Sequence, residues 1–73
     1  ELDLVIVRGT TRRGFESKRT TTPRVTPSMR SALKDLRLDS IEVIHAGERS
    51  FPLTEQIRAV SCRRLLEDIE PLK

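Results

Sequence analysis

The chain opens with Leu2, Leu4 and Ile6 on one face and Asp3, Val5 and Val7 on the other, apolar at nearly every step. That pattern predicts a strand over 1–8 covered on both sides. Gly9-Thr10-Thr11-Arg12 supplies turn residues, and 13–20, containing Gly14, Phe15, Glu16, Ser17 and Lys18, reads as a second strand of weaker pattern. The two are expected to form a hairpin. With Thr10 and Thr11 as its central residues, Asp3 would face Lys18, Val5 would face Glu16 and Ile6 would face Phe15. This register places Asp3, Glu16 and Lys18 on one face.

Thr20 to Val25 is Thr-rich and holds Pro23, so an extended connection is expected there. Thr26 can cap a helix and Pro27 suits its first position. Met29, Ala32, Leu33 and Leu36 follow at the spacing of a buried stripe, with the helix ending near 37–39. Ser40 to Ala46 is a β-branched strand closed by Gly47, and strand, helix and strand in succession imply a right-handed parallel crossover. Phe51-Pro52-Leu53 suggests edge structure, and 57–60 a short strand. Ser61 is positioned to cap a last helix bearing Leu65, Leu66 and Ile69, stopped by Pro71. The order strand-strand-helix-strand-strand-helix predicts one α/β (α+β) domain over 1–73, a mixed sheet of about four strands with two helices.

Composition narrows the picture. With 73 residues, no Trp or Tyr, and Phe15 and Phe51 as the only aromatic anchors, the core must be thin and aliphatic. No apolar run approaches the roughly 18–20 residues of a membrane span, and the acidic Glu1-Leu2-Asp3 start does not resemble a secretory signal. One cysteine, Cys62, excludes an internal disulfide, and one histidine excludes a zinc site of three or four Cys/His ligands. A cytoplasmic setting is expected. The net charge of +3 is unevenly placed: Arg8, Arg12, Arg13, Lys18, Arg19, Arg24, Arg30 and Lys34 fall in a stretch whose single acid is Glu16. Such a basic half suits a phosphate-bearing partner, with Arg8, Arg12, Arg13, Arg19 and Arg24 as nucleic-acid contacts. The plainer alternative is a solvated Arg-rich face.

Asp3 and, thirteen residues on, Glu16-Ser17-Lys18 carry the sharpest chemistry. Carboxylates on adjacent strands can hold Mg²⁺, which takes hard oxygen ligands and keeps several waters. Lys18, on the same strand face as Glu16, could stabilise charge on a phosphoryl oxygen or orient a water. The chemistry suggested is metal-assisted phosphodiester hydrolysis, with Asp3, Glu16 and Lys18 catalytic and Asp3 and Glu16 on the metal. Its structural alternative is an Asp3–Lys18 ion pair with Glu16 solvated. His45, at a strand end, reads as structural unless the fold brings it near Asp3. Cys62, beside the expected cap, could have some thiol reactivity. The Thr20-Thr21-Thr22 run could offer hydroxyls to phosphate but is expected to be loop.

The segments Glu-Leu-Asp-Leu-Val-Ile, Phe-Glu-Ser-Lys, Thr-Pro-Ser-Met-Arg-Ser-Ala-Leu-Lys-Asp-Leu, Ile-Glu-Val-Ile-His-Ala-Gly-Glu-Arg-Ser-Phe-Pro-Leu and Arg-Ala-Val-Ser-Cys-Arg-Arg-Leu-Leu-Glu span nearly the whole chain in order. Together they resemble the C-terminal domain of unknown function in a family of bacterial and archaeal AAA-type ATPases. That domain resembles the restriction-endonuclease-like fold, marked by an Asp on one strand and an acid-any-lysine triplet on the next. The resemblance implies Asp3 and Glu16 as metal carboxylates and Lys18 as the catalytic lysine. It covers the back half of the fold, whose first helix and strand and whose ATPase module are absent here, so the site is expected to be degenerate in this truncated chain. It also implies an exposed sheet edge suited to a homodimer, and an ATPase partner. The alternative function is a non-catalytic nucleic-acid or protein interaction module using the basic hairpin 8–24.

Overall fold

In the computed structural model, which describes residues 2–69, Gly9 takes a φ of 60° and turns the chain from β1 (Leu4–Arg8) into β2 (Thr11–Ser17). The central residues are therefore Gly9 and Thr10, glycine first, as in a II′ hairpin turn whose twist suits the strands. The observed pairs are Leu4 with Phe15, Val5 with Gly14 and Ile6 with Arg13. This corrects the expected register by two residues. A two-residue slip preserves the faces, so Asp3, Glu16 and Lys18 still share one side, but Lys18 no longer lies opposite Asp3.

Thr26 caps α1 (Pro27–Asp35), its Oγ1 accepting from the Met29 N–H at 3.3 Å. The helix stops earlier than the stripe suggests. Arg37 sits at φ 52°, its N–H donating to Lys34 O and the Leu38 N–H to Leu33 O, which turns the chain and buries Leu38 in place of Leu36. Leu36, expected in the core, is 41% exposed. A non-glycine residue in the left-handed region costs about 1–2 kcal/mol. Arg37→Gly is therefore expected to stabilise the domain by about 1 kcal/mol, read from a urea midpoint.

β3 (Ser40–His45), β4 (Phe51–Pro52) and β5 (Ile57–Ser61) complete a five-stranded sheet ordered β1-β2-β3-β5-β4. β2, β3 and β5 run parallel as the crossover implies, and β1 and β4 are antiparallel edges. The last elements of the described residues are a 3₁₀ turn, Cys62–Arg64, and a one-turn α2, Leu65–Asp68, where a longer helix was expected. Ser61 does cap that turn, accepting from the Arg63 N–H at 3.3 Å, and Pro71 lies outside the described residues.

Register puts Val5, Gly14, Ile41 and Ile57 in one row beneath α1, with Glu16, Val43 and Ala59 in the next. Met29 and Leu38 pack on Ile41, Val43 and Ile57 to form the core, flanked by Leu33, Val25 and Leu53. Neither phenylalanine belongs to it: Phe51 is on the edge strand and 37% exposed, and Phe15 lies on the opposite sheet face under the Arg13 guanidinium. That second face carries a row of Phe15, Glu42 and Arg58, with Glu42 between Arg13 at 3.8 Å and Arg58 at 3.7 Å.

Candidate functional site

Strand alternation turns Glu16 toward the α1 side of the sheet at the carboxyl end of β2, beside Val43, where it is only 4% exposed. Lys18 lies two residues on, past the end of β2, and its N–H donates to Ile44 O at 2.8 Å. Its Nζ reaches Glu16 Oε2 at 2.8 Å, an ion pair with one buried and one largely solvated partner. The other oxygen, Glu16 Oε1, is buried and has no hydrogen-bond partner.

Asp3 enters just before β1. Its N–H donates to Phe15 O at 3.0 Å, and its Oδ2 accepts from the Ser17 N–H at 2.8 Å and the Ser17 hydroxyl at 2.9 Å. These two bonds, the backbone one foremost, hold the Asp3 carboxyl below its usual 3.8, and the charge of Lys18 adds to them. Asp3 is thus ionised through neutral pH. Because its folded value is depressed, its contribution to stability is present above 3.8 and is lost as pH falls through the lowered folded value. Lys18 is shifted the other way, above 10.5, by its hydrogen bond to Glu16 and by the charges of Glu16 and Asp3. Its contribution is complete below 10.5 and disappears as pH rises through the raised value.

The fold therefore brings Asp3, Glu16 and Lys18 together, in a different arrangement from the simple ion pair. Lys18 pairs with Glu16, Glu16 is buried, and Asp3 is the exposed member tied to Ser17. Two hard carboxylates, one with an unpartnered buried oxygen, fit a cation such as Mg²⁺ that takes one or two protein carboxylates and fills the rest with water and phosphate. Among the described residues no group of three His, Cys, Asp or Glu side chains converges as a metal cluster. A site built wholly from protein ligands, as structural zinc requires, is not the chemistry offered by this pair.

The arginines expected to form one nucleic-acid surface are dispersed. Arg8 ends β1 at the hairpin turn, far along the sheet from Asp3. Arg12 is held at the end of α1, its Nε donating to Leu36 O at 2.9 Å and its N–H to Asp39 Oδ2 at 2.7 Å. Arg13 is 7% exposed on the other sheet face, against Glu42 and over the Phe15 ring. That excludes it as a phosphate contact on the surface. Arg19 and Arg24 are exposed in the connection that follows β2.

Thr20 Oγ1 accepts from the Thr22 N–H at 3.0 Å, an ordinary loop turn. Cys62 is exposed at the start of the 3₁₀ turn. His45 ends β3 and is 1% exposed, its Nδ1 accepting from the Gly47 N–H at 3.0 Å. Glu42 escaped sequence reasoning, though a lone acid inside the apolar run Ile41–Ile44 was the available signal. Gly47 and its closeness to His45 left no such signal. No helix of the described residues is long and apolar enough to cross a membrane.

No family model and no solved structure matches the chain. Uncharacterized proteins of Mycobacterium bovis and Mycobacterium tuberculosis are each 44% identical to it over 66 residues, covering 90% of this chain and 15% of the relative. The chain thus spans about 15% of the length of the curated relatives it matches.

Proposed function

We propose that the chain is part of a nuclease-like module in which Asp3 and Glu16 hold Mg²⁺ and Lys18 faces the phosphodiester. The observation that carries this reading is Glu16 Oε1, a buried carboxylate oxygen without a partner, on the residue next to Ser17, which holds Asp3. Unsatisfied buried polar atoms are rare and call for a physical reason. Ser17 fixes the Asp3 carboxylate by two bonds, and Lys18 fixes Glu16 through Oε2, so both ligands are oriented before anything binds. The Lys18 ammonium has three donors, and those not spent on Glu16 suit a non-bridging phosphoryl oxygen or an attacking water. When bound, the cation supplies Lewis-acid polarisation of the phosphoryl group. Binding is the property to measure first.

The test is a Mg²⁺ and Mn²⁺ titration read by residue-resolved amide NMR. Shifts and Mn²⁺ broadening centred on Asp3, Ser17 and Lys18 are expected, and Asp3→Asn with Glu16→Gln should remove them while the remaining spectrum stays folded. The absence of any localised response at millimolar metal, or a response that survives the double substitution, overturns the reading. The interaction-module alternative through residues 8–24 has less support, since Arg12 and Arg13 are engaged within the fold.

A further inference from the structure

The parallel strands β2, β3 and β5 end side by side, and a cavity of about 700 Å³ opens at that end. In open sheets with parallel strands, ligands bind outside the carboxyl ends. One wall is the connection leaving Lys18, through Thr21 and Thr22 to the buried Pro23; the Ala46 N–H ties it to β3 by donating to Thr20 O at 3.0 Å. The floor is His45 and Gly47, and the rim carries Arg49, Phe51 and Arg63.

The floor is built with unusual care for a loop. The Ser61 hydroxyl donates to Gly47 O at 2.7 Å, and Ser61 is fully buried. The Gly47 N–H occupies His45 Nδ1, which leaves the proton of the neutral ring on Nε2. Nε2 is buried and has no acceptor. A Cβ on Gly47 would come within 2.9 Å of the imidazole and 3.0 Å of Thr21 O, so only glycine lets the loop close over the ring. The ring edge leans on Phe51, centroids 5.6 Å apart at 60°, and Phe51 keeps exposed surface.

The lining thus offers an aromatic platform, threonine hydroxyls and two guanidinium groups, of which Arg63 is shared with Glu48 at 3.5 Å. The cavity is too large for an inorganic anion alone and in the range of sites that hold an aromatic ring with its substituents. A planar ring bearing a phosphate matches this set: stacking on an aromatic side chain, and arginines for the phosphate.

We propose that this cavity seats one unpaired nucleotide of a single-stranded nucleic acid, its base against Phe51 and its phosphate toward Arg49 and Arg63. Thr21, on the cavity wall, follows Lys18 by three residues, and on this proposal the strand would run on toward Asp3, Glu16 and Lys18. That continuation rests on the phosphodiester reading of those residues; occupancy of the cavity does not.

The test uses the full chain in metal-free buffer with EDTA, titrated with a thymidine oligonucleotide of about six residues and, separately, with thymidine 5′-monophosphate and a duplex. Amide shifts are expected at His45, Gly47 and Phe51, with the oligonucleotide binding more tightly than either alternative. Phe51→Ala, a change at an exposed site, should weaken binding about tenfold, and His45→Gln is the second variant. Shifts confined to Arg8, Arg12 and Arg24, or an unchanged affinity in Phe51→Ala, overturn the proposal. Equal binding of the mononucleotide overturns the strand, and equal binding of the duplex overturns the unpaired base. Asp3→Asn with Glu16→Gln should leave these shifts in place; a silent metal titration with intact nucleotide shifts removes the phosphodiester reading and keeps the pocket, and the converse removes the pocket alone.

Discussion

Ile41→Ala is expected to leave the domain largely unfolded in mild urea. Ile41 is fully buried at the centre of the sheet, between Gly14 on β2 and Ile57 on β5, and Met29 and Leu38 cover it. Truncating such a side chain costs about 2–5 kcal/mol, because the cavity adds to the lost transfer energy. A single thin core of this size rarely supplies more than about 3–5 kcal/mol in total. The neighbours cannot collapse into the gap, since Gly14 has no side chain and the register is fixed on both sides. Circular dichroism through a urea series should show the midpoint moving to near zero denaturant. Leu36→Ala, at a site 41% exposed, is the control and should stay within about 1 kcal/mol of the parent. A parent-like midpoint for Ile41→Ala would mean that the core is not where the structure has it.

Glu42→Gln should cost nearly as much. The carboxylate is 2% exposed, and Arg13 beside it has a side chain only 9% exposed. Removing one member of a buried pair leaves a charge out of water without its counterion, a loss of about 3–5 kcal/mol. Arg58 moderates this, being about a third exposed and able to turn to solvent. Arg13 has no such exit, since Phe15 lies 5.4 Å beneath its guanidinium. The discriminating comparison is the double variant Arg13→Met with Glu42→Leu, in which both charges go and apolar volume replaces them. Buried pairs exchanged in this way are often neutral or better, so the double variant should recover most of the loss in the same urea series. If Glu42→Gln alone were within about 0.5 kcal/mol of the parent, the pair would be a surface contact and not a buried one.

The elements that strong local patterns specify were legible. β1, β3 and β5 follow from β-branched runs, α1 from Thr26-Pro27 and its stripe, and the parallel crossover from their succession. What failed has a common cause: the decisive term was backbone geometry at one residue. Gly9 at φ 60° outweighed Thr10-Thr11 and moved the hairpin by two, and Arg37 at φ 52° ended α1 early and exchanged Leu36 for Leu38 in the core. The last helix is a single turn because Ile69 leaves helical geometry for an extended backbone. At the candidate site, face sharing among Asp3, Glu16 and Lys18 survived the register error because side chains alternate with period two. The internal partners did not, since which oxygen meets which donor depends on the register itself. The low aromatic count pointed to a thin aliphatic core, which Met29, Leu38, Ile41, Val43 and Ile57 form, yet hydrophobicity cannot say which face of a sheet a helix will cover.

The strand order β1-β2-β3-β5-β4 has a kinetic consequence. Both neighbours of β3 are parallel to it, and each is reached only through a long connection, by way of α1 on one side and residues 46–56 on the other. The β1–β2 hairpin, closed by a tight turn, can form within microseconds. It gains little alone, because its Val5–Gly14 row has nothing to pack against until Ile41 arrives. Chain entropy must be spent on closing two loops before the first parallel hydrogen bond repays it, which places this small molecule among slow folders. During that interval the hairpin presents an unpaired strand on each side to any other chain it meets.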